Sequence, residues 1–101
     1  MTKEHIKEFL DFLAGKCPEA VLIGKQGEDR ERFIPAVVGF DNNNGRVIYS
    51  RDKLIDCYVE SDGMTREEAI EWIEYNVDRA LPYMGSNAPI IMDDMDIIMG
   101  W

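Results

Sequence analysis

Histidine occurs once and cysteine twice in this 101-residue chain, and basic side chains nearly vanish from its second half. Each scarcity excludes something. With His5 alone, and no serine or cysteine in a nucleophile motif, a catalytic triad cannot be assembled by pattern. Cys17 and Cys57 stand apart without CxxC spacing, which argues against a zinc site or a redox motif. Two reduced thiols fit a cytoplasmic protein; a bridge would fit a secreted one. The start, Met1-Thr2-Lys3-Glu4-His5, lacks the apolar core of a secretion signal. No apolar run reaches the length of a membrane span. Gly24-Lys25-Gln26-Gly27 is too short for a phosphate-cradling loop and lacks its Lys-Ser/Thr ending. Internal repeats and low-complexity tracts are absent as well. The expectation is one domain over residues 1–101, cytoplasmic, without enzymatic activity, cofactor or membrane contact.

What is abundant is negative charge, and it is unevenly placed. Residues 1–51 hold eight acids and eight bases, whereas residues 52–101 hold 12 acids against Lys53, Arg66 and Arg79. The net charge of −9 therefore belongs to the second half. A surface of that sign repels phosphate backbones and anionic membranes and attracts basic partners. Direct nucleic-acid binding is not expected on this ground.

Periodicity gives the elements. Ile6, Phe9, Leu10 and Leu13 form one apolar stripe, predicting a helix over Lys3–Ala14 that Gly15 stops and Pro18 prevents from resuming. Ala20–Ile23 reads as a short buried strand and Gly24–Arg32 as a loop. Phe33–Phe40 and Arg46–Tyr49 read as a hairpin around the turn Asp41-Asn42-Asn43-Asn44-Gly45, with Pro35 marking an edge or bulge. Ser50 can cap a helix from Arg51 to about Glu60 that buries Leu54, Ile55, Tyr58 and Val59 and ends at Asp62-Gly63. Thr65 and Glu68 form a capping box, opening a helix that Pro82 closes and that buries Ile70, Ile73, Val77, Ala80 and Leu81. Pro89–Met92 reads as the last strand. The order α-β-β-β-α-α-β implies an α+β domain with helices over a small, mostly antiparallel sheet.

Glu67, Glu71, Glu74 and Asp78 recur at spacings of four, three and four. At 100° per residue they fall within about 60° of one another on a helix. Like charges so placed repel by about a few tenths of a kcal/mol per pair. The row is either a solvated face that keeps the chain soluble or a docking surface for a cationic partner. Trp72 and Tyr75 lie off the apolar face, and Tyr75 borders the row; such aromatics pack under a neighbouring segment or anchor an interface. Asp41–Gly45 fails as a calcium loop, because Arg46 occupies the sixth position where glycine is needed. Asp93, Asp94 and Asp96 offer too few ligands for a metal cage, and no metal site is expected. The apolar tail Met95–Trp101 either continues the last strand into the core or stays exposed and drives homo-oligomerisation.

The strings VVGFDNNNGRVIYSRDKLI (Val37–Ile55) and DGMTREEAIEWIEYNVDRALPYMGSNAPIIM (Asp62–Met92) resemble a family of small acidic proteins of bacteriophages and prophages. The first helix and the Lys25–Arg32 loop carry no such likeness. The Gly63-Met64-Thr65 cap and the segment Leu81–Gly85 are its distinctive pieces, and they name no chemistry. The resemblance implies a phage accessory protein made in the bacterial cytoplasm. In composition alone, such a chain is similar to inhibitors of host defence, among them anti-CRISPR proteins, that cover a nucleic-acid groove. The expected partner is then a basic host protein, with CRISPR effectors among the candidates. The expected contact residues are Glu67, Glu71, Glu74, Asp78 and Tyr75.

Overall fold

A computed structural model describes residues 2–24 and 28–101, and the backbone alone at 28 and 29. Helix α1 spans Lys3–Lys16, opened by the Thr2 hydroxyl, which accepts from the His5 N–H at 3.2 Å. It runs through Gly15 rather than stopping there. The last helical bond runs from the Cys17 N–H to the Leu13 carbonyl at 2.8 Å, and Pro18, which has no N–H to continue the ladder, follows it. Ala20–Ile23 is not a strand. The Val21 N–H donates to the Asn87 carbonyl at 3.1 Å, and the Ile23 N–H donates to the Tyr49 hydroxyl at 3.1 Å, so the segment is held outside the sheet by single bonds. Part of the expected loop and the first half of the expected strand Phe33–Phe40 are ordered differently: Glu28–Phe33 forms helix α2, followed by a 3₁₀ turn at Ile34–Ala36 that carries Pro35. Lys25, Gln26 and Gly27 lie outside the described residues.

Strand β1 (Val37–Asp41) pairs antiparallel with β2 (Arg46–Ser50), with a register shift between Val37 and Gly39. The Asp41 carboxylate accepts from the Asn43 and Asn44 backbones and from the Asn44 side chain, which fixes the turn. Gly45 has φ 67°, and an added Cβ would lie 2.7 Å from Cys17 Sγ and 2.8 Å from Asn87 Nδ2. Glycine is required there twice over, by conformation and by space. Ser50 accepts from the Lys53 N–H and opens α3 (Arg51–Asp62), which Gly63 ends in the left-handed conformation.

Helix α4 (Arg66–Trp72) starts on the complete Thr65–Glu68 capping box. It passes directly into a π-helix at Ile73–Asp78, and a 3₁₀ turn follows at Leu81–Tyr83. Strand β3 (Ile90–Met92) then returns parallel to β2, giving the order β1-β2-β3. The chain is α+β, with one antiparallel and one parallel pairing. A crossover of two helices brings β3 back in the same direction as β2, as parallel neighbours require. The core lies between the sheet and the helices: Leu13, Phe33, Val47, Tyr49, Leu54, Tyr58, Ala69 and Ile73 are among its buried members. Burial pushes the Tyr49 phenol up to about 12. The tail after β3 does not extend the sheet. Met95–Met99 forms a short helix, α5, whose apolar side chains are exposed.

Candidate functional site, an acidic and aromatic helix face

The capping box fixes where α4 begins, and its buried face fixes which way it turns. Ala69, Ile73 and Val77 are buried, four residues apart. In a strict α-helix that spacing drifts by 40° at each step. The π-helix carries more residues per turn and keeps Ile73 and Val77 nearer one line over the core. Asn76 supports the widened turn by donating its side-chain N–H to the Trp72 carbonyl at 3.1 Å. Ile70 was expected inside but is 37% exposed; Ala69 takes the inner position, and Ile70 faces a cleft beside α3.

The four acids of the row meet different fates. Glu67, Glu71 and Glu74 are exposed and, among the described residues, make no ion pair or hydrogen bond. Asp78 is taken by Arg51 through two bonds of 2.8 and 3.1 Å, with its side chain 29% exposed. Of the four carboxylates in the expected row, Asp78 is the one that the fold pairs with a cation among the described residues. Asp78 belongs to a bridge that also reaches Asp93, 2.8 Å from Arg51 Nε. These partners are 27 and 42 residues apart in the chain, beyond the reach of helical spacing.

Two of the hollows beside the helix bear on the row. One, of about 320 Å³, lies toward α3 and is lined by Arg51, Ile55, Ile70, Ile73, Glu74, Asp78 and Asp93. Its charged groups are largely bridged to each other. The other, of about 290 Å³, is lined by Met64, Glu68, Glu71, Trp72, Tyr75 and Asn76. Here the carboxylates have no cationic partner among the described residues. The Thr65 N–H, donating to Glu68, holds its carboxyl below the usual value.

Both aromatics of this second flank are open to solvent, Trp72 at 45% and Tyr75 at 58%. Trp72 is steadied from behind by the buried Tyr58, at 6.5 Å between centroids. Tyr75 carries a guanidinium: Arg79 Cζ sits 4.3 Å from its ring centre. The sequence placed Tyr75 at the edge of the row, and it is there. Trp72, Glu68 and Asn76 join the site although they were not among the expected contact residues; the aromatic at Trp72, off the apolar face, was the available signal.

Among the described residues, no group of three or more His, Cys, Asp or Glu is arranged to hold a metal ion. The three C-terminal aspartates are drawn apart, Asp93 to Arg51 and Asp94 to the Ser50 hydroxyl at 2.7 Å. No described helix is long and apolar enough to cross a membrane. The arrangement can attract and seat cations. No protein-family model, curated protein or solved structure matches this chain.

Proposed function

We propose that this is a non-enzymatic binding protein that presents Glu67, Glu71 and Glu74, with Tyr75 and Trp72, to a basic protein. The observation that carries the reading is the set of three exposed carboxylates without a cation, set beside two exposed aromatics on one rigid helix. Nothing in the fold requires them, and their mutual repulsion works against it. A row of fixed carboxylates can occupy positions that a groove reserves for phosphates, and salt would screen the attraction. With the phage resemblance, the partner is a nucleic-acid-binding host protein in the bacterial cytoplasm, CRISPR effectors being one candidate class. Asp78 is left out of the contact set because Arg51 already neutralises it.

The test is capture from a bacterial lysate at low salt, with duplex DNA as the eluting competitor. A partner released by DNA and by high salt, and lost when Glu67→Lys and Glu74→Lys are combined, supports the reading. A partner retained by that double variant, or indifferent to DNA, overturns it.

A second reading has its own observation. Met95, Ile97, Ile98, Met99 and Trp101 are all more than half exposed, a run of apolar side chains open to solvent. Self-association through α5 is the alternative role. Light scattering of the full chain against a truncation after Asp94 decides it: a strictly monomeric full chain removes this reading.

A further inference from the structure

The hollow on the far flank of α4 has a shape and lining that suit one kind of guest. We infer that it seats a single arginine side chain of the partner, stacked against Trp72 and ion-paired with Glu71 and Glu68. The inference rests on the docking role proposed above and names the chemistry of its anchor.

Four features lead there. The lining supplies both halves of guanidinium recognition, an aromatic plane and carboxylates, within one depression of about 290 Å³. A planar guanidinium is weakly hydrated, stacks on aromatic faces and forks onto carboxylates, whereas an ammonium does neither in a plane. The molecule also displays the interaction on its own surface, where Arg79 lies over Tyr75. That stacking leaves Glu71 and Glu68 unneutralised, since neither makes an ion pair among the described residues. Asn76 contributes too: its amide N–H is bonded to the Trp72 carbonyl, and its side-chain oxygen makes no bond among the described residues, so an acceptor is available at the rim. Met64 and the Trp72 ring provide apolar surface for the guest's methylene stem. The opposite cleft lacks this opening, because Arg51 is already bridged there to Asp78 and Asp93.

The test uses the full chain with Trp101→Phe, which leaves Trp72 as the single indole. The indole N–H resonance is followed by NMR while acetyl-Gly-Arg-Gly-Arg-Gly-amide is added, with lysine and citrulline versions as controls. A saturable shift that is strongest with arginine and absent with citrulline is expected. Glu71→Gln should weaken it by about two- to fivefold, the range for an exposed ion pair. Trp72→Leu, followed through the Asn76 side-chain amide, should abolish it, and Glu71→Gln serves as the second variant if that substitution disturbs packing on Tyr58. Equal shifts from arginine and citrulline peptides, or no response to Glu71→Gln, overturn the inference. Its failure is separable from failure of the docking role: the peptide can miss the hollow while the Glu67/Glu74 reversal still abolishes capture, and the converse is equally readable.

Discussion

The two flanks of the α4–π helix carry similar numbers of carboxylates and treat them in opposite ways. Toward α3, Arg51 binds Asp78 and Asp93, and Arg66 binds Asp52 and Asp56. Along the outward face Glu67, Glu71 and Glu74 meet water, Glu74 at the edge of the cleft beside α3, and Arg79 lies on a tyrosine ring instead. On the first flank charge joins α3 to the π-helix and to the segment that leads into α5. On the second it is left available. Negative charge along a sequence is thus a poor guide to function until its cations are located, because a bridged carboxylate no longer attracts a partner.

The substitution with the largest expected effect removes the support that both flanks share. Ile73 is fully buried between them. Ile73→Ala should cost about 2–5 kcal/mol in urea unfolding, through lost burial and the cavity left behind. A loss under 1 kcal/mol would mean the π-helix is not held by this face.

Next comes the bridged flank alone. Arg51→Met leaves Asp78, with its side chain 29% exposed, without its cation. The expected loss is about 1–3 kcal/mol, while capture of the basic partner persists. Were capture to vanish with Arg51, the two flanks would not be independent. The more exposed Arg66 should matter less, about 0.2–1 kcal/mol for Arg66→Met.

The start of the helix serves both flanks more weakly. Thr65→Ala removes the hydroxyl of the capping box and should cost about 0.5–2 kcal/mol. The same box gives an acid dependence. Bonds from Thr65 hold the Glu68 carboxyl below its ordinary value of 4.5 in the folded chain. Its stabilisation is therefore present above the ordinary value and lost as pH falls through the folded one. Glu68→Gln should flatten the acid limb of the unfolding midpoint against pH below about 4.5, whereas Glu68 substitution should leave the limb above it unchanged in slope.

The smallest stability effect belongs to the open flank. Glu67→Lys should change stability by no more than about 0.5 kcal/mol. The change is small because relief of one like-charge repulsion is offset by loss of an acid from the first turn of the helix, where the dipole favours it. A loss beyond 1 kcal/mol would assign Glu67 to the scaffold and end the contrast between the flanks.

Some of this architecture is written in short stretches and could be read from them. Ser50 before α3, Gly63 after it, the Thr65–Glu68 box and the Asp41–Gly45 turn all work through bonds that span only a few positions. The charge asymmetry of the two halves is likewise a property of order alone. The four apolar residues Ala20–Ile23 fit a strand and an extended linker equally, and only their bonds to Asn87 and Tyr49 distinguish the two. Glu28–Phe33, polar at one end, gave no periodic signal, and its helix is completed by packing of Phe33 into the core.

The sequence by itself determined the starts of α1, α3 and α4, the stop of α3 at Gly63, the hairpin turn and the presence of a carboxylate row, since these depend on neighbours within a turn or two. Tertiary structure alone decided that β3 runs parallel, that Ile70 opens to a cleft, that α5 stays outside the core, and that Asp78 is bridged while Glu67, Glu71 and Glu74 are not. The reason is one of range: a helix cap is satisfied within four residues, whereas Arg51 and Asp78 stand 27 residues apart and meet only because α3 packs on the π-helix.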